Sequence, residues 1–226
     1  MNLSPEALEK NPAAVRRTAF AVLWVALIAQ AVWMGVHHLR LHESLRESLS
    51  SMSYPFIFAV PFLLLALTGG RVRLINAALR LPVAIAFLDA VADRMGLLGP
   101  HGSPGVAWGD FAHFIAYTAR INPFMPSATI PVLAVLATVG ETTFALALLL
   151  GIRTRAAAIG SALLLSLFGT AMIIAGFSQF EYGVYLMATG TLALSTVDAS
   201  LLSLDAVISS RKMVSAQHQP TLNQRA

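Results

Sequence analysis

The stretch FLDAVADRMGLLGPHGSPGVAWGDFAHFIAYTARINPFMP, residues 87–126, decides how the chain is read. It opens inside an apolar run, yet carries Asp89, Asp93 and Arg94 there. It leaves that run through Gly99-Pro100-His101-Gly102-Ser103-Pro104-Gly105, a string of turn residues. Residues 108–120 are then amphipathic, with Phe111, Phe114 and Ile115 at helical spacing and Asp110, His113 and Tyr117 between them. That pattern predicts a short interfacial or re-entrant helix, ended by Pro123 and Pro126. Apolar sequence lies on both sides, so the stretch reads as a long connection between two membrane helices.

Outward from it, the chain alternates long apolar runs with short polar turns. The candidate spans are 18–36, 52–68, 74–97, 127–150, 156–176 and 182–202. The first run is 19 residues long, enough for about 28 Å of helix. It is longer than a signal-peptide core and lacks a small-residue cleavage site, so a retained helix is expected. Pro55 and Pro61 in the second run start or kink a membrane helix without excluding it. The fold class expected is therefore an all-α integral membrane protein with six transmembrane helices.

Composition agrees. The chain has 226 residues, 57% hydrophobic and only 12% charged, with mean hydropathy +0.71. Soluble domains carry about 25% charge. The isoelectric point near 10.0 does not point to nucleic acid, because the basic residues form no face with interleaved aromatics. They lie between the apolar runs instead. With both termini cytoplasmic, Lys10, Arg16, Arg17, Arg71, Arg73, Arg80, Arg153, Arg155, Arg211, Lys212 and Arg225 fall on the inner side. Arg40, Arg46, Arg94 and Arg120 fall outside or at an outer helix end, so the bias is 11 against 4. The expected location is a bacterial inner membrane.

The chain has no cysteine. Disulfides, thiol redox chemistry and cysteine-ligated metal or iron–sulfur centres are excluded from it. No span interior holds a histidine, so a haem held between helices is not expected. His38 and His42, in the HHxxxH of residues 37–42, are weak metal candidates beside Arg40 and Glu43, and a solvated exterior segment is favoured. No phosphate loop, nucleophile elbow or H-E-x-x-H motif occurs.

Charges at bilayer depth cost a few kcal/mol unless paired, and they nominate the site. Arg80 and Arg94 are 14 residues apart and share a helix face. Asp89 and Asp93 share another. Counted from outer ends near Leu97 and Ser127, Arg80 lies about 25 Å down and Glu141 about 21 Å. Arg80 and Glu141 are therefore expected to form an intramembrane ion pair. Asp89 and Asp93, about 12 and 6 Å down, are expected to meet His101, His113, Tyr117 or Arg120 from the overlying connection. Asp89, Asp93, His113, Tyr117 and Arg120 thus outline a candidate pocket. Gly160, Ser161, Gly169 and Gly190 suit close helix packing.

Residues from about 74 to 202 resemble the DoxX family of bacterial membrane proteins. The likeness rests on Arg80 opening a helix that ends at Asp93-Arg94, the Pro/Gly-rich connection, VGETTFALALLLG around Glu141, and the turn Gly151-Ile152-Arg153-Thr154-Arg155. Many relatives have a lysine near the end of that first helix, where this chain has Asp93-Arg94. The resemblance implies a four-helix unit over 71–203, with its outer connection at 98–126. Two extra N-terminal helices (18–70), a cytoplasmic segment (1–17) and a cytoplasmic tail (204–226) complete the chain. It also implies a subunit of a quinone-linked respiratory or sulfur redox system, with quinone as the possible cofactor. The alternatives are a non-catalytic accessory or assembly subunit of a larger membrane complex, and a small-solute or proton-coupled carrier. No inverted repeat or paired broken helices support the carrier.

Overall fold

A computed structural model describes residues 12–41, 53–176 and 181–208. Among them there is no strand; residues 204–208 are helical, and eight further α-helices have defined bounds. They are α1 (Pro12–Leu41), α2 (Ser53–Thr68), α3 (Arg73–Ala78), α4 (Arg80–Arg94), α5 (Phe111–Ile121), α6 (Ile130–Leu150), α7 (Thr154–Ile174) and α8 (Glu181–Leu194). One 3₁₀ turn, Ser127–Thr129, leads into α6.

Four segments are long and apolar enough to cross a membrane: Pro12–Val36, Arg73–Arg94, Ser127–Leu150 and Thr154–Ile174. This fits a multi-pass helical membrane protein. The expected second and sixth spans appear as shorter apolar helices, Phe58–Thr68 and Gly183–Leu194.

Local chemistry explains the boundaries. The third expected span is broken at Leu79. Pro82 has no N–H to continue the ladder, and its ring crowds the carbonyl four residues back. The same span ends at Arg94 rather than Leu97, where Gly96 adopts φ 76° and Leu97 N–H donates to the Ala92 carbonyl at 2.9 Å. Helix α6 carries Pro131 in its first turn and closes on left-handed Gly151. Helix α8 stops at Leu194, short of the expected 202. The Ser195 and Thr196 hydroxyls donate to the carbonyls of Leu192 and Ala193 at 2.7 Å, competing with the helix ladder.

Helix α8 packs on α7, α1 and α2, while α4 packs on α6 and α6 on α7. A single apolar core joins these helices through Leu23, Phe62, Leu65, Val83, Phe87, Leu148, Leu186 and Leu194. Small residues set the helix spacing, as expected from the sequence. A side chain at Gly190 would run into the Phe62 ring, and one at Gly160 into the Phe144 ring. Helix α5 lies against α6, α4 and α7 and caps one end of the bundle. Its own small cluster is Phe114 with Ala134 and Ala137, flanked by Trp108, Ile115 and Phe168.

Candidate functional site

The capped end is built on two consecutive residues of α4 with opposite charges. Asp93 is buried and points into the connection. Its Oδ2 accepts the Ala107 N–H at 2.7 Å, and its Oδ1 accepts the N–H groups of Trp108 at 3.1 Å and Gly109 at 2.7 Å. Three successive amides therefore converge on one carboxylate, a strong charge-assisted arrangement. Gly109 makes it possible. Its φ is 71°, and a side chain there would collide with the backbone of Pro100 and His101.

Arg94 turns the other way, into the bundle, and is only 1% exposed. Its Nη2 lies 2.7 Å from Oε2 of Glu141, which is itself buried. The contact is an ion pair without full hydrogen-bond alignment. Nη1 donates to Thr138 Oγ1 at 3.0 Å, and Nε donates to the Ala90 carbonyl at 3.0 Å. The guanidinium carbon sits 3.7 Å from the Phe114 ring centroid and 5.1 Å from Trp108. The two rings meet edge to face at 5.1 Å. The charge is thus paired on one side and roofed by aromatic faces on the other.

This corrects the expected pairing of Arg80 with Glu141. Side chains lean toward the N-terminus of their own helix. Helix α4 runs toward the capped end and α6 runs back, so Arg94 reaches deeper while Glu141 reaches outward. The regular helix α6 also starts at Ile130, which places Glu141 only about 16 Å from its start. A depth count from Cα positions alone misses both shifts. Arg80 is buried at the opposite end. It donates to its own Ala77 carbonyl at 3.1 Å and to the carbonyls of Leu201 and Leu202 at 3.1 and 3.2 Å. It holds the segment after α8 against the bundle.

The expected pocket residues separate in the same way. Asp89, one turn before Asp93, is exposed on the surface of the bundle and makes no hydrogen bond or ion pair within the described residues. His113 receives its backbone cap from Asp110, whose side chain also lies 2.8 Å from the His113 ring nitrogen. Its ring stacks on His101 at 3.9 Å. Backbone and side-chain bonds to His113 hold the Asp110 carboxyl below the usual range. Tyr117 packs on Trp108 at 5.6 Å, and burial pushes its phenol up against the opposing pull of Arg120. Arg120 is exposed. So Asp93 alone of the two carboxylates engages the connection, and His113 bonds along its own helix.

Trp108 and Thr138 were not singled out in advance. Thr138 is three residues from Glu141 on one helix face, a spacing that flags a shared partner. The seat of Trp108 follows from chain folding and has no local signature. No group of three His, Asp or Glu side chains gathers as a metal site among the described residues. His42, and the side chain of His38, lie outside them. No protein-family model, curated protein or solved structure matches this chain.

Proposed function

We propose that this chain is a membrane-embedded accessory subunit that anchors a partner in a larger assembly. The resemblance to the DoxX family favours an assembly in quinone-linked respiratory or sulfur redox chemistry. Six spans, with both termini on the cytoplasmic face of a bacterial inner membrane, belong to this reading and are supported by the arginine distribution.

The observation that carries it is Asp89. The two buried charges in the last turn of α4 are satisfied within the chain: Asp93 by three amides, Arg94 by Glu141 and Thr138. Asp89 lies five residues before the end of the span, on its exposed side, with no partner in the described chain. A carboxylate at that depth is costly unless paired. A lysine or arginine on a neighbouring membrane helix would supply the pair.

A second reading uses the same carboxylate as acceptor for a quinol hydroxyl approaching from the lipid. One experiment separates them. The chain is extracted in mild detergent, and associated proteins and quinone are identified for wild type and Asp89→Asn. Partner loss in Asp89→Asn supports the anchoring role. Quinone carried by the isolated chain and lost in Asp89→Asn supports the second reading. Unchanged partners and no quinone would sink both.

A further inference from the structure

At the end of the bundle opposite the aromatic cap, the turn between α6 and α7 and the segment after α8 enclose an open groove of about 490 Å³. It is lined at its polar end by Arg153, Thr154, Arg155, Asp198 and Asp205. Its apolar wall comes from Ala156, Ile159, Leu194 and Val197.

The acidic side chains are already engaged. Asp198 holds Arg73 at 2.8 Å and accepts from Ser200, and its carboxyl lies below the usual range chiefly through Ser200. Asp205 accepts the Thr154 N–H at 3.3 Å and lies in the field of buried Arg80. The guanidinium groups of Arg153 and Arg155 are exposed and have no hydrogen bond or ion pair within the described residues. The Thr154 hydroxyl is buried without a partner. Four arginines face two aspartates here, so the region is net positive.

The groove sits where the α7 span begins, at the level where a bilayer places its headgroups. Below Arg155, Ile159, Leu163 and Leu167 follow at intervals of four residues on α7, exposed by 38%, 62% and 68%. A cationic mouth above an apolar strip matches an amphiphile with a phosphate head and an acyl tail. We propose that this groove binds the phosphate of an anionic phospholipid, with Arg153 and Arg155 on the headgroup and an acyl chain along the α7 strip. Basic pockets between membrane helices are suited to such headgroups.

The full chain in detergent is titrated by native mass spectrometry with phosphatidylglycerol, phosphatidylcholine and inorganic phosphate. Phosphatidylglycerol should bind, and the double variant Arg153→Gln/Arg155→Gln should weaken it about 25-fold, the loss of two interfacial arginines. Ala156→Phe fills the groove with its charges intact and should also lower binding. The double variant Arg17→Gln/Arg71→Gln removes the same charge from outside the groove and should leave binding within about twofold, as expected for distant sites. Equal binding of phosphatidylcholine, or equal losses in both double variants, would overturn the site. Binding of inorganic phosphate as tight as the lipid would overturn the lipid as its source.

Discussion

Asp93→Asn tests the clamp between α4 and the connection. The carboxylate accepts three amides through two oxygens. An asparagine has one oxygen, and its best orientation keeps that oxygen on Trp108 and Gly109. The amide nitrogen then faces the Ala107 N–H across 2.7 Å, donor against donor. A hydrogen bond to a charged group is worth about 1.5–3 kcal/mol. Losing the charge also weakens the two retained bonds by about 1 kcal/mol each, since charge-assisted bonds are about twice as strong as neutral ones. The local closing energy of the connection should fall by about 3–5 kcal/mol. Backbone exchange at Ala107, Trp108 and Gly109 should therefore speed up about 150- to 5,000-fold. Hydrogen exchange resolved to these amides, with α6 amides as an internal reference, reads this directly. Exchange within threefold of wild type would refute the reasoning, because the three amides would then owe their protection to something other than Asp93.

Two further outcomes follow from the same end of the molecule. Glu141→Leu leaves Arg94 buried without its counter-charge and should cost about 3–5 kcal/mol, or about 6–20 °C in thermal midpoint in detergent. Arg94→Met/Glu141→Leu should recover most of that loss, and a double variant no better than Glu141→Leu would show that the pair is not the unit that matters. Asp110 has a carboxyl pKa lowered chiefly by the His113 N–H. Its capping contribution is present above the unfolded carboxylate value of about 3.9 and is lost as pH falls through the lower folded value. The His113 amide, measured against an α6 amide, should stay protected from pH 6 to 4 and fray below that. In Asp110→Ala it should be frayed throughout, and a protected amide in that variant would remove the cap from the account.

The apolar runs were legible because burying a long helix in lipid demands a long apolar segment, which no other arrangement requires. The turn at Gly151 was legible for a similar reason, since it closes through bonds to residues within five positions. The small residues at 160 and 190 also pointed correctly to close helix contacts. Even the wheel of α4 was half right, since Arg80 and Arg94 are both buried. What failed was the partner of each. Asp89 and Asp93 share a helix face on paper, but the connection reaches only the last turn, so one carboxylate is enclosed and the other exposed.

By itself, then, the sequence determined that this is a helical chain of the multi-pass type, where its main connection falls, and which charges lie inside its apolar runs. Those properties depend on neighbours along the chain and on the periodicity of a helix. Only the tertiary structure decided that Arg94, and not Arg80, meets Glu141, that Asp93 gathers three amides from 14 to 16 residues away, and that Arg80 ties down the segment after α8. Each of these depends on the direction in which a side chain leaves its helix and on which backbone crosses above it. Residues 87–126 hold both kinds of information: a connection visible in the sequence, and a clamp that exists only once α5 lies across α6.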